Sequence, residues 1–108
     1  MELEGKNLIG LSQVGGGDKT FKSFNPALGA EIEPDFVGAT AEEVGRAMQL
    51  ASEAFPIYRR KSGEERAAFL EMIANEIEGL GGAVIERCDA ETALGIPRLT
   101  GERGRTTG

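Results

Sequence analysis

A chain of 108 residues is the length of one domain, and 40% apolar with 28% charged residues is the composition of a water-soluble protein with a limited core. A net charge of −6 gives no general attraction to phosphate backbones, so nucleic acid is not an expected partner. No apolar run approaches membrane-spanning length, and the opening MELEGKNLIG carries acids where an export signal carries bases; no membrane partner is expected, and the cytoplasm is the expected compartment, in keeping with a single cysteine.

In chain order, Asn7 to Leu11 (NLIGL) is a short apolar run that reads as a strand. Gly15-Gly16-Gly17-Asp18 is a turn signal, and Thr20 to Phe24 carries β-forming residues, so the two runs are expected to pair as a β-hairpin across that loop. Asn25-Pro26-Ala27-Leu28-Gly29 is a turn: Asn bonds its own backbone two residues on, Pro presets φ and Gly accepts positive φ. Ala30 to Glu33 is a third short strand, expected to end at Pro34.

Thr40-Ala41-Glu42-Glu43 is a capping box, after which apolar residues fall at Val44, Ala47, Met48, Ala51, Phe55 and Tyr58, one face of a helix expected to end or kink near Pro56. Ser62-Gly63-Glu64-Glu65 is a second capping box, followed by a stripe at Phe69 or Leu70, Ile73, Ile77 and Leu80. Glycines 79, 81 and 82 break that helix, since each costs about 1 kcal/mol against alanine. A third helix is expected from about Ala83 to Leu94, its inner face Val84, Ile85, Cys88 and Thr92, stopped by Gly95 and Pro97. Thr100 is placed to cap a fourth helix; no apolar residue follows Leu99, so this tail is expected to bury nothing itself and reads as truncated.

The residues that carry chemistry are few. There is no histidine, which removes Ser-His and Cys-His nucleophiles and the commonest metal ligand. Cys88 reads as a small buried residue on a helix face, because no base or helix N-terminus stands near it to lower its pKa. Gly15 to Thr20 does not make a phosphate loop: Asp18 separates glycine from lysine and no helix follows. The acids Glu64, Glu65, Glu71, Glu76, Glu78 and Glu86, alternating with Arg66 and Arg87, describe a solvated helix face. Arg98, Arg103 and Arg105 crowd the tail, where they either grip a carboxylate or are solvated.

The order of segments resembles the N-terminal part of the NAD(P)-dependent aldehyde dehydrogenase superfamily: a hairpin, FNPALGAEI, a capped helix closing on AFPIYRR, then SGEERAAFLEMIANEIE and IERCDAET. Phe24 to Gly29 is similar to that family's N-P-A-T-G turn, with Leu28 where Thr is usual. Ala54-Phe55-Pro56 and Glu65-Arg66 resemble its first-helix end and second-helix start. Glu91-Thr92 resembles its E-T-G segment, with Ala93 where Gly is expected. The closing GERGRTTG is similar to the branch whose substrate is 2-oxoglutarate semialdehyde (2,5-dioxopentanoate).

The resemblance implies a parent several times longer, whose catalytic cysteine, activating glutamate and cofactor-contacting glycines lie downstream. No catalytic, cofactor-binding or metal residue is therefore assigned in this chain, and no cofactor is expected in it, NAD or NADP belonging to the parent family. Residues 7–33 resemble strands lying against the body of the enzyme, and residues 40–95 resemble helices on the outside of the cofactor domain. The tail resembles the start of a helix bordering the substrate tunnel, where Arg103 or Arg105 would hold a substrate carboxylate.

The expected fold is mainly α with a short N-terminal β-hairpin (α+β as a fragment). It has three helices plus a truncated fourth and forms part of the α/β Rossmann-like cofactor domain of the parent family. Its regions are residues 1–39 (strands and turns), 40–95 (a capped helical hairpin and third helix) and 96–108. The expected function is the structural N-terminal portion of an aldehyde dehydrogenase, inactive in isolation, partnered by the remainder of the parent enzyme or by itself as a homo-oligomer. The alternative is a standalone small helical module that self-associates or binds a partner, because its apolar stripes exceed what they can bury among themselves.

Overall fold

The computed structural model describes all 108 residues as an α+β chain of four strands and four helices: β1 (Asn7–Ile9), β2 (Ser12–Val14), β3 (Thr20–Asn25), β4 (Ala30–Val37), α1 (Ala41–Tyr58), α2 (Gly63–Gly79), α3 (Gly82–Thr92) and α4 (Ile96–Thr107). The strands form two separate pairs, β1 with β2 and β3 with β4. Two compact units divide the chain: one holds residues 2–23 and 33–61, the other residues 24–32 and 62–108.

The first hairpin differs from the one expected. NLIGL is not a single strand: it turns at Gly10-Leu11, and β2 returns antiparallel with Asn7 opposite Val14, Leu8 opposite Gln13 and Ile9 opposite Ser12. Gly10 has φ +61 and Leu11 does not have positive φ, the II′ pattern whose twist suits a two-residue hairpin. The apolar pattern misled because Leu11 is fully exposed at the turn and belongs to neither strand. Gly15 to Gly17 is then a connector between hairpins and not a hairpin loop.

The second hairpin turns where the Asn-Pro-Ala-Leu-Gly reading placed it. The Asn25 side-chain oxygen accepts from the backbone N–H of Ala27 and Leu28, both at 3.0 Å, and Gly29 N–H closes on the Asn25 carbonyl at 2.9 Å. These bonds satisfy an amide that is almost fully buried. β4 does not stop at Pro34 but runs on to Val37. β3 is its only partner in the sheet, and a strand with an open edge is where proline is tolerated. Phe21 and Phe36 stack across this ribbon at 5.6 Å between centroids. The N-terminal segment is pinned to the end of β4: Val37 N–H donates to the Gly5 carbonyl at 2.8 Å, and Asn7 Nδ2 donates to the Val37 carbonyl at 3.2 Å.

Both capping boxes form as read, Thr40 with Glu43 and Ser62 with Glu65. α1 continues two residues beyond Pro56, because so near the helix end the missing N–H forfeits a single intrahelical bond. The face of α1 turned inward is Glu43, Ala47 and Leu50, with Leu50 against the Gly10 turn. Of the apolar stripe expected to pack, only Ala47 is half-buried; Val44, Met48, Ala51, Phe55 and Tyr58 are exposed.

α2 likewise covers Ala74 and Ile77 but exposes Phe69, Leu70, Ile73 and Leu80. α4 packs on α2 and α3, which corrects the expectation that the tail buries nothing. It begins at Ile96, not Thr100, with Pro97 in its first turn, where a helix has N–H groups to spare. Leu99, Arg103 and Thr107, at spacings of four, form its half-buried face.

α3 ends at Ala93, which takes the left-handed conformation at φ +54, ψ +30, and Ala93 N–H donates to the Asp89 carbonyl at 2.8 Å. A left-handed residue with a Cβ costs about 1–2 kcal/mol that glycine avoids. Ala93→Gly is therefore expected to stabilise the helical unit by about 1 kcal/mol. In thermal unfolding followed by circular dichroism that is an upward shift of about 4–8 °C.

Ile85 on α3 is the sole large apolar side chain that is buried, and it keeps 7% of its surface exposed. The accessible surface is 8099 Å². Eighteen large apolar side chains are exposed.

Candidate functional site

The two arginines singled out in the tail take different positions. Arg103 turns inward: its Nη1 donates to the Gly81 carbonyl at 2.8 Å and its Nε lies 3.3 Å from Glu78 Oε2. Thr107, one turn on, donates its hydroxyl to the other Glu78 oxygen at 2.7 Å. Glu78 is at the end of α2 and Gly81 in the turn before α3, so these bonds clamp α4 onto the α2–α3 corner. A charged donor to a carbonyl left over at a helix end satisfies a group that has no intrahelical partner.

Arg105 is 82% exposed and pairs loosely with Glu102 at 3.9 Å, a geometry worth little in water. Two residues apart on a helix is about 200° of rotation, so the structure does not bring Arg103 and Arg105 to one point. Arg98 is exposed on the first turn of α4.

Beside Arg103 the three helices enclose a small hollow of about 220 Å³, walled mainly by Ile77, Val84, Ile85, Cys88 and Leu99. Cys88, expected to be buried, is an exposed residue on the rim of this hollow. No three His, Cys, Asp or Glu side chains are grouped so as to hold a metal ion.

In the other unit an open groove of about 770 Å³ runs between the β1–β2 hairpin and the first turns of α1, walled by Ile9, Leu11, Val14, Thr40, Arg46 and Leu50 among others. Glu43 closes one end. Its carboxylate accepts from Thr40 N–H at 2.9 Å and from Gly16 N–H at 2.7 Å, so the capping box also anchors the glycine connector 27 residues away. The sequence identified the cap; the tie to Gly16 had no local signal.

The backbone N–H groups of Thr40 and then Gly16, with a smaller contribution from the Thr40 hydroxyl, hold the Glu43 carboxyl below the ordinary glutamate range. A group whose folded pKa is lowered stabilises the fold above its unfolded pKa and loses that contribution as pH falls through the folded value. Unfolding in urea is thus expected to need less denaturant as pH drops below about 4.3, the unperturbed value for glutamate. Glu43→Gln should be less stable at pH 7 and should flatten that acid limb, and a parallel acid limb in the variant would refute the assignment.

The profile of the Aldehyde dehydrogenase family matches residues 14–93. Alpha-ketoglutaric semialdehyde dehydrogenase 2 of Azospirillum brasilense is 49% identical over the whole chain, which covers 21% of that protein. Alpha-ketoglutaric semialdehyde dehydrogenase of Acinetobacter baylyi (strain ATCC 33305 / BD413 / ADP1) is 38% identical over 99% of the chain and 20% of its own length. The chain thus spans about a fifth of the length of these curated relatives. No helix is long and apolar enough to cross a membrane.

Proposed function

This chain belongs to the aldehyde dehydrogenase family, and we propose that it supplies the N-terminal scaffold of a cytoplasmic enzyme that oxidises 2-oxoglutarate semialdehyde to the acid with NAD or NADP. The observation that carries this reading is identity of 49% along the whole chain with a relative of which it spans only 21%. The chemistry then falls to the remaining four-fifths of the enzyme, and this chain's work is to fold, to present apolar faces to that remainder and to position α4.

The residues present do not fit a nicotinamide dinucleotide. The glycine connector has given its Gly16 N–H to the Glu43 carboxylate, so an anion already sits where a phosphate would have to lie, and no helix follows the connector. The glycines at 79, 81 and 82 follow a helix, not a strand.

Two roles follow for the tail. Arg103 ties α4 to Glu78 and Gly81; the proposed carboxylate role therefore goes to Arg105, whose exposure on another face leaves it available for it. The test is a chimera in which this chain replaces the matching fifth of the Azospirillum brasilense relative. The chimera is expected to reduce NAD(P)⁺ with the semialdehyde as substrate, and the chain alone is not; turnover by the chain alone, or a folded but inactive chimera, would overturn the reading. Arg105→Ala in the chimera should raise KM with kcat kept, as expected for loss of uniform binding. An unchanged KM would remove the carboxylate role and leave the scaffold role standing.

A further inference from the structure

Glu78 is one of the acids whose pattern describes a solvated helix face, yet it spends both carboxylate oxygens on α4. Oε2 faces Arg103 Nε at 3.3 Å, and Oε1 accepts from the Thr107 hydroxyl at 2.7 Å. Thr107 has one proton to give, and a carboxylate at 2.7 Å is a better acceptor than the Arg103 carbonyl at 3.1 Å. One side chain of α2 therefore holds α4 at two successive turns. Arg105 lies between those two points in the chain. At about 100° per residue, Arg103 and Thr107 fall within about 40° of each other on the helix, and Arg105 leaves it about 180° from their midpoint. A rotation of α4 that breaks the clamp swings Arg105 through the same angle.

Beyond Leu99, burial does little to set that rotation. Residues 100–107 carry no apolar side chain to pack. They include Gly101 and Gly104, and glycine is a poor helix former. Thr100 and Thr106 each bond the carbonyl four residues back, which tends to bend a helix. The direction of this stretch is set instead by the polar bonds to Glu78 and by Arg103 Nη1 on the Gly81 carbonyl at 2.8 Å. We propose that Glu78 is a positioning residue for the carboxylate of the substrate aldehyde: it fixes the rotation of α4 and thereby aims Arg105, without touching the substrate itself. The inference rests on the carboxylate role given to Arg105 above. Two-pronged gripping of a carboxylate by a guanidinium is directional, so the aim of the side chain matters as well as its charge.

The test uses the same chimera and two aldehydes, the semialdehyde and pentanal, an uncharged aldehyde of the same chain length. Glu78→Ala should raise KM for the semialdehyde about tenfold with kcat kept, and should leave both constants for pentanal in place. Glu78→Gln keeps one oxygen to accept with and should recover part of the loss. Thr107→Val removes one of the two bonds while leaving the Glu78 charge and Arg103 in place; it should raise the same KM about threefold, and it serves where Glu78→Ala disturbs the fold. Because Glu78 acts through Arg105, Glu78→Ala with Arg105→Ala should be no worse than Arg105→Ala alone. A rise in KM with Arg105→Ala but not with Glu78→Ala or Thr107→Val, equal losses on both aldehydes, or additive losses in the double variant would overturn the positioning role and leave Arg105 standing. An unchanged KM in Arg105→Ala would overturn both roles, and an inactive chimera would overturn them together with the scaffold reading.

Discussion

Gly5→Ala is expected to lower the stability of the strand-and-α1 unit by about 3 kcal/mol, with a corresponding fall in the urea midpoint. Gly5 is buried with φ +67, and a Cβ built on it would fall onto the Asp35 carbonyl oxygen. Two costs combine. A side chain at positive φ costs about 1–2 kcal/mol by itself. The displacement needed to relieve the clash pulls Gly5 away from β4, where its carbonyl accepts from Val37 N–H, and a net hydrogen bond is worth about 0.5–1.5 kcal/mol. Gly29→Ala separates these costs: Gly29 has the same φ of +67 and no atom near its missing Cβ. It should cost only the backbone part, about 1 kcal/mol. Equal losses at the two positions would mean that the contact with Asp35 carries no weight.

Ile85→Ala should have the largest effect in the helical unit, about 2–4 kcal/mol. Ile85 is 7% exposed and packs at the centre of the corner made by α2, α3 and α4, beside a hollow of about 220 Å³ that truncation would enlarge. Half-buried Val84 on the same helix is the comparison and should cost about 1 kcal/mol when cut to alanine. Native-state hydrogen exchange of the α3 and α4 amides checks both: Ile85→Ala should bring those amides towards the rate of the unfolded chain, and Val84→Ala should leave most of their protection in place.

How much was legible in the sequence depended on how local each decision was. The capping boxes at Thr40 and Ser62 and the turn at Asn25 to Gly29 formed as read, because each is closed by hydrogen bonds within five residues. The break at Gly81 and the end of the third helix were legible to within two residues, since glycine and proline act on their own backbone. The β1–β2 turn was missed for a local reason: an apolar pattern cannot tell a strand residue from an exposed turn residue such as Leu11. The inward turn of Arg103 was not legible, because the Glu78 and Gly81 groups that draw it in lie more than twenty residues away.

The sequence by itself determined where the first two helices start, where the second hairpin turns, the α+β class and, through identity along the whole chain, the family. Only the tertiary structure decided which face each helix buries. Periodicity gave α1 the stripe Val44, Ala47, Met48, Ala51, Phe55 and Tyr58, but the helix turns only Ala47 of it inward, together with Glu43 and Leu50, and leaves the rest exposed. The physical reason is that hydrophobic burial has no direction of its own. A stripe states how much apolar surface asks for cover, and the partner that covers it is fixed by long-range contacts that no short window of sequence contains.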